Sequence, residues 1–218
     1  DVCSSDLYHR DFFANFAAGI KPELCAGLEG HDTASIGGLV SLPVAVSATL
    51  SKGDLEAVNR IAIKQLRLTH RSSLLEQHAL QLSQLLFQIV NEAETNTPEL
   101  ACEAAYRLGF PAAKVIQTVR ENNASDHDVI GRLLSPACYI DQSFPAVLYF
   151  AARYHDDFEN ALLANTKVGG DNCHRGAVLG SILGASLGVD AIPKRWITGL
   201  TAYAELDQEI EAFVALYA

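Results

Sequence analysis

Apolar residues in this chain recur every three or four positions almost from end to end, and a chain with that period folds into helices rather than sheets. Over residues 54–69, Leu55, Val58, Ile61, Ala62 and Leu66 share one helical face, with Asp54 as a cap. Leu75, Ala79, Leu82, Leu86 and Ile89 mark a longer helix. Ser73-Leu74-Leu75-Glu76 ahead of it has the form of a capping box, in which hydroxyl and carboxylate satisfy free N–H groups reciprocally. Thr97-Pro98 opens a third helix and Gly109 stops it. Residues 111–121 read as another, with Val115, Ile116 and Val119 inward, and residues 125–134 as the next, ended by Ser135-Pro136. Residues 143–154 form an apolar helix that tolerates Pro145 in its first turn. Asp156-Asp157-Phe158-Glu159 opens a short helix ending near Asn165, and a further one runs over 173–188. Pro193 starts a short turn around Trp196. The last helix carries Tyr203, Leu206, Ile210, Phe213 and Tyr217 at alternating spacings of three and four. Residues 35–50 read as a buried helix kinked at Pro43. No alternating pattern with hairpin turns competes with this reading. The expectation is an all-α, compact multi-helix bundle without a domain boundary.

Charge narrows the function classes. Sixteen Lys and Arg against 26 Asp and Glu give a net charge of -10. That argues against nucleic-acid partners, which need clustered cations, and against a polybasic membrane-surface protein. No apolar run reaches the roughly 18–20 residues that span a bilayer, so no membrane partner is expected. The five cysteines have no paired spacing, which fits a reducing, cytoplasmic location. The chain contains no methionine and opens Asp1-Val2-Cys3-Ser4-Ser5. Residues 1–7 therefore read as a non-native start and residues 8–218 as one domain whose preceding segment is missing.

Chemistry concentrates at Asn165-Thr166-Lys167-Val168-Gly169-Gly170-Asp171-Asn172-Cys173-His174-Arg175-Gly176. Gly169 and Gly170 let backbone approach a ligand closely. The polar run enters a helix N-terminus, where free N–H groups and the positive dipole end favour an anion such as phosphate. Asp171 is either an oxygen ligand for a hard divalent cation or a helix cap behind the glycine turn. Behind it Gly176, Gly180, Gly184 and Gly188 fall every fourth residue. At about 1 kcal/mol each relative to Ala, they imply a helix packed backbone-close against a neighbour. A second polar loop, Gly27-Leu28-Glu29-Gly30-His31-Asp32-Thr33-Ala34-Ser35, could face the same place. His31 with Asp32 suits acid–base work or substrate binding, and the alternative is a capped loop. No Ser-His-Asp order is present, and His70 and His78 lack a zinc spacing.

The block over residues 139–200 resembles the C-terminal region of the ADP-ribosylglycohydrolase family. The likeness is carried by Asp141-Gln142-Ser143-Phe144-Pro145-Ala146, Asp157-Phe158-Glu159-Asn160-Ala161, Gly169-Gly170-Asp171, the glycine-rich helix, Ile192-Pro193 and Trp196. A weaker echo is Leu68-Thr69-His70-Arg71-Ser72. The resemblance implies an orthogonal all-α bundle, a pair of Mg2+ or Mn2+ ions, and hydrolysis of a glycosidic bond to ADP-ribose. The substrate would be an ADP-ribosylated protein or a small nucleotide-sugar ligand. It makes Asp171 a metal ligand, and Gly169, Gly170, Asn172, Cys173, His174 and Arg175 the substrate-binding turn. The family follows its Gly-Gly-Asp with a second ligand Asp and a ligand Thr, where this chain has Cys173 and His174. A thiolate is a soft ligand and should weaken a magnesium pair. His174 and Arg175 would then bond either to a ligand or to the fold. The family's N-terminal Asp-rich motif has no match here, so the chain alone is expected to be inactive. Crystallin-like relatives on this scaffold leave a non-catalytic binding or structural role as the alternative.

Overall fold

The structure is a computed structural model that describes residues 7–29, 34–92, 96–109, 121 and 124–217. Among these residues the regular elements are helical, and the extended pairing is one isolated bridge, Ser35 with Tyr139. Helices α1 (Leu7–Ala17), α2 (Leu42–Leu50), α3 (Leu55–Leu66), α4 (Ser73–Asn91) and α5 (Thr97–Arg107) form the first half. Helices α6 (Ile140–Arg153), α7 (Phe158–Lys167), α8 (Asn172–Leu187), α9 (Lys194–Thr198) and α10 (Tyr203–Tyr217) form the second. The all-α expectation is met. The helix expected over 111–121 lies outside the described residues, except Glu121.

Helix α6 is the axis of the core. Phe144, Ala146, Val147, Leu148, Tyr149, Phe150 and Ala151 are all fully buried, so it is apolar on every side. It packs against α5, α7, α8 and α4. From α4, Leu75, Ala79, Leu82, Leu86 and Ile89 point inward as the period requires, and from α8 Val178, Leu179, Ile182 and Leu183 do the same.

Local signals set most boundaries, with informative departures. Asp54 caps α3 by accepting from Ala57 N–H at 3.0 Å, and Asp157 caps α7 by accepting from Asn160 N–H at 3.0 Å. The expected capping box does not form. Ser72 rather than Ser73 caps α4, and Glu76 instead takes a bidentate bond from Arg67 at 2.7 and 2.9 Å. Residues 36–50 split into a 3-10 turn (Ile36–Leu39) and α2, with Pro43 in the first turn of α2 rather than at a kink. The segment ahead of Ser135-Pro136 is one α turn (Asp126–Asp128) running into a π turn (Val129–Leu133). Helix α6 begins at Ile140, so Pro145 sits inside it and costs one backbone hydrogen bond.

The glycine comb is half used. A Cβ on Gly176 would meet Asn165 Nδ2 at 3.3 Å and Leu162 at 3.5 Å, and one on Gly180 would meet Phe158 at 3.8 Å, all three on α7. Beside Gly184 and Gly188 there is open space among the described residues. Close packing therefore serves the N-terminal half of α8, the half that carries the polar turn. The stripe of α10 is helical as its period demands but stays uncovered, and none of its described residues is buried.

Buried histidine gives the fold a pH dependence. His70 is 1% exposed, its Nδ1 lies 2.8 Å from the Thr69 hydroxyl, and the Tyr8 ring covers it at 4.1 Å. Burial, with a smaller contribution from His9, pulls its pKa from 6.5 to about 4. Burial lowers His78 too, against opposing contributions from the Leu74 carbonyl and Asp141. As pH falls, the unfolded chain protonates His70 before the folded one does. Its stabilising contribution is full above about pH 6.5 and is lost between 6.5 and 4, roughly 3 kcal/mol in all. Urea unfolding of wild type at pH 7 and pH 4.5 should show this loss. The His70→Gln variant should show a shallower dependence, and an equal one would remove His70 as its source.

Candidate functional site

The polar turn at residues 169–175 is built by α7, α8 and the loop before α6. Helix α7 ends at Lys167, and the chain turns through Gly169 and Gly170 at φ +73° and +67°, backbone angles open to glycine. Gly170 lies hard against the Pro136 carbonyl group. A Cβ there would come within 2.6 Å of Pro136 Cβ and 2.7 Å of Pro136 C. The Asp171 N–H donates to Pro136 O at 2.9 Å and the Asn172 N–H to Gly170 O at 2.8 Å. Helix α8 then starts.

Arg175 locks this turn from beneath. The residue is fully buried. Its Nε donates to Asn165 Oδ1 at 3.0 Å, Nη1 to Pro136 O at 2.8 Å and Nη2 to Gly169 O at 2.6 Å. Asn165, 1% exposed, donates in turn to Asn172 O at 2.8 Å. Burial lowers the Arg175 pKa and the Asp171 charge opposes the shift. A guanidinium stays charged regardless. Arg175, a sequence candidate for substrate contact, therefore bonds to the fold and not outward. Its fork of donors converts three carbonyl acceptors on two loops and a helix into one rigid unit.

Asp171 is the capping position of α8, yet its side chain makes no cap hydrogen bond. In this it differs from Asp54, Ser72, Asn96, Ser125 and Asp157, each of which accepts from the helix it starts. The Asp171 carboxylate, whose side chain is 11% exposed, turns instead to His174, whose Nδ1 lies 2.9 Å from one oxygen and 3.0 Å from the other. An ionised carboxylate can only accept, so Nδ1 carries the hydrogen. Cys173 is exposed on the neighbouring face, its Sγ 3.8 Å from Asn172 Oδ1. Asn172 also bonds back to Gly170 O at 3.3 Å through its side chain.

The end of the second predicted loop, Ala34-Ser35, lies beside the segment that carries Pro136. Residues 30–33, and with them His31 and Asp32, lie outside the described residues. Their continuation does not: Ala34 O accepts from Ile140 N–H at 2.9 Å, and Ile36 N–H donates to Cys138 O at 2.9 Å. Residues 136–140 thus tie the end of that loop to the Gly169–Gly170 turn. Pro136 and Asn165 are the positioning residues that sequence reasoning missed. Pro136 acts through its carbonyl, which no side-chain signal marks. Asn165 was legible only as a polar residue at a helix end.

A pair of divalent cations would need several oxygen ligands at this turn. Among the described residues no three His, Cys, Asp or Glu are gathered into a metal-binding group. The Asp171 oxygens face an imidazole, Cys173 turns outward, and a hard ion wants several oxygen ligands. The described residues do not fit a magnesium pair.

Two pockets lie elsewhere, on the α3–α4 face. One, about 720 Å³, is lined in part by Asn59, Ile63, Lys64 and Leu80, and the other, about 570 Å³, by Leu28, Arg71 and Ser73; Glu23 and Arg67 belong to both. The side-chain chemistry of the polar turn is absent from both linings. No described helix is long and apolar enough to cross a membrane.

The family model described as ADP-ribosylglycohydrolase matches residues 5–218. No curated protein matches the chain.

Proposed function

The chain belongs to the ADP-ribosylglycohydrolase family, and from that premise we propose that the full-length protein binds the ADP-ribosyl group of a protein or small nucleotide-sugar conjugate at the turn 169–174 and hydrolyses the glycosidic bond to it. The observation that carries the reading is the locked Gly169–Gly170 turn at the start of α8. Two residues without side chains stand ahead of a helix of 16 residues, and the turn is held by a buried guanidinium. Such a turn lets a ribose or pyrophosphate group come close to the backbone and to the positive end of a helix dipole without reorganisation. Asp171 and His174 stand beside it as one hydrogen-bonded pair. Their part is to orient a hydroxyl or a water against the bound sugar, the carboxylate holding the imidazole tautomer.

A second reading has a specific observation behind it. With Cys173 and His174 standing where the family's second Asp and its Thr are expected, the chain would bind ADP-ribose without cleaving its conjugates. One pair of measurements separates the two. Release of free ADP-ribose from an ADP-ribosylated protein by the full-length protein is followed in Mg2+, in Mn2+ and in EDTA, and ADP-ribose binding to the same protein is followed by calorimetry. Release together with binding establishes the hydrolase. Binding without release under any condition establishes the second reading. Absence of both refutes ADP-ribose as the ligand.

A further inference from the structure

We infer that this chain has dispensed with the divalent cations at its Gly-Gly-Asp turn, and that an imidazole from its own helix fills the coordination space of the Asp171 carboxylate. The inference rests on the ligand reading above only for where the ligand sits, not for the metal. Both carboxylate oxygens lie within 3.0 Å of one His174 nitrogen, three residues on along α8. A cation taking both oxygens of Asp171 would have to displace that ring. The pairing is built by the helix itself, since residues three apart stack on one face. Asp171 is the one capping residue among those compared above whose carboxylate is turned away from its own helix N–H groups, so the His174 contact replaces a cap rather than adding to one. Cys173, two residues after Asp171, offers a thiol, not an oxygen, and is exposed. A negative ligand at this turn is therefore met by helix N–H groups and the imidazole, with no bridging ion. Chelators should leave its affinity unchanged.

The test uses the full chain and two independent readouts. Calorimetry with ADP-ribose in excess Mg2+ and in EDTA should give dissociation constants equal within about twofold. Separately, electron paramagnetic resonance of Mn2+ titrated with protein should show no uptake that depends on Asp171, so wild type and Asp171→Asn should give the same free-ion signal. A tenfold or greater loss of ADP-ribose affinity in EDTA overturns the inference and leaves the ligand reading standing. So does Mn2+ uptake that disappears in Asp171→Asn. If ADP-ribose binds in neither buffer, the ligand reading falls, and the Mn2+ comparison still decides the inference by itself.

Discussion

Replacing Arg175 with alanine is expected to destabilise the protein by about 4 kcal/mol and to lower its melting temperature by roughly 10 °C. The guanidinium is fully buried and donates to Asn165 Oδ1, Pro136 O and Gly169 O. Truncation removes the guanidinium donors from those acceptors and opens a cavity the size of the side chain. Each of these effects costs on the order of 1–3 kcal/mol. Because the three acceptors belong to three segments, the loss should not stay local. The Gly169–Gly170 turn should detach from the loop at Pro136, and ADP-ribose binding should fall with it. Lysine keeps the charge but not the fork, so Arg175→Lys should lie between wild type and alanine. Thermal unfolding of the three proteins checks this. A melting temperature for Arg175→Ala within about 2 °C of wild type would show that the clamp carries little.

Gly170→Ala is expected to cost about 4 kcal/mol, whereas Gly169→Ala should cost only about 1 kcal/mol. Both residues have positive φ, and an alanine pays roughly 1–2 kcal/mol for that conformation at either. The difference is what a methyl group would strike. At Gly169 nothing among the described residues lies within 4 Å, while at Gly170 the methyl would run into the backbone carbonyl group of Pro136. That carbonyl is itself fixed by bonds from Asp171 N–H and Arg175, so it cannot step aside without undoing the clamp. Equal unfolding free energies for the two alanine variants by urea titration would mean that the Pro136 contact is not the constraint described here.

Much of the fold was legible because helical period is a local property. The inward residues of α3 and α4, the caps Asp54 and Asp157, and the stop at Gly109 follow from spacing and residue type alone. The misreadings have a common cause. Ser72 and Ser73 are chemically equal as caps, and in the fold Ser72 serves while Glu76 is taken by Arg67. Pro145 reads as a helix start, yet α6 begins at Ile140, where the chain is already anchored by the Ile140 bond to Ala34 O. The stripe of α10 defines a face but not what covers it, and Leu206, Ile210 and Val214 remain exposed.

At the candidate site the same division holds. Sequence alone determined the residue types, the glycine pair, a helix start behind it and the replacement of two family ligands by Cys173 and His174. Whether Arg175 faces a ligand or the interior, whether Asp171 caps its helix or meets His174, and that Pro136 and Asn165 hold the turn were decided only by tertiary structure. The physical reason is that covalent order and helical phase are set by neighbours along the chain. The partner of a guanidinium or a carboxylate is chosen by whichever donors and acceptors packing brings within 3 Å, and here those come from segments up to 39 residues apart.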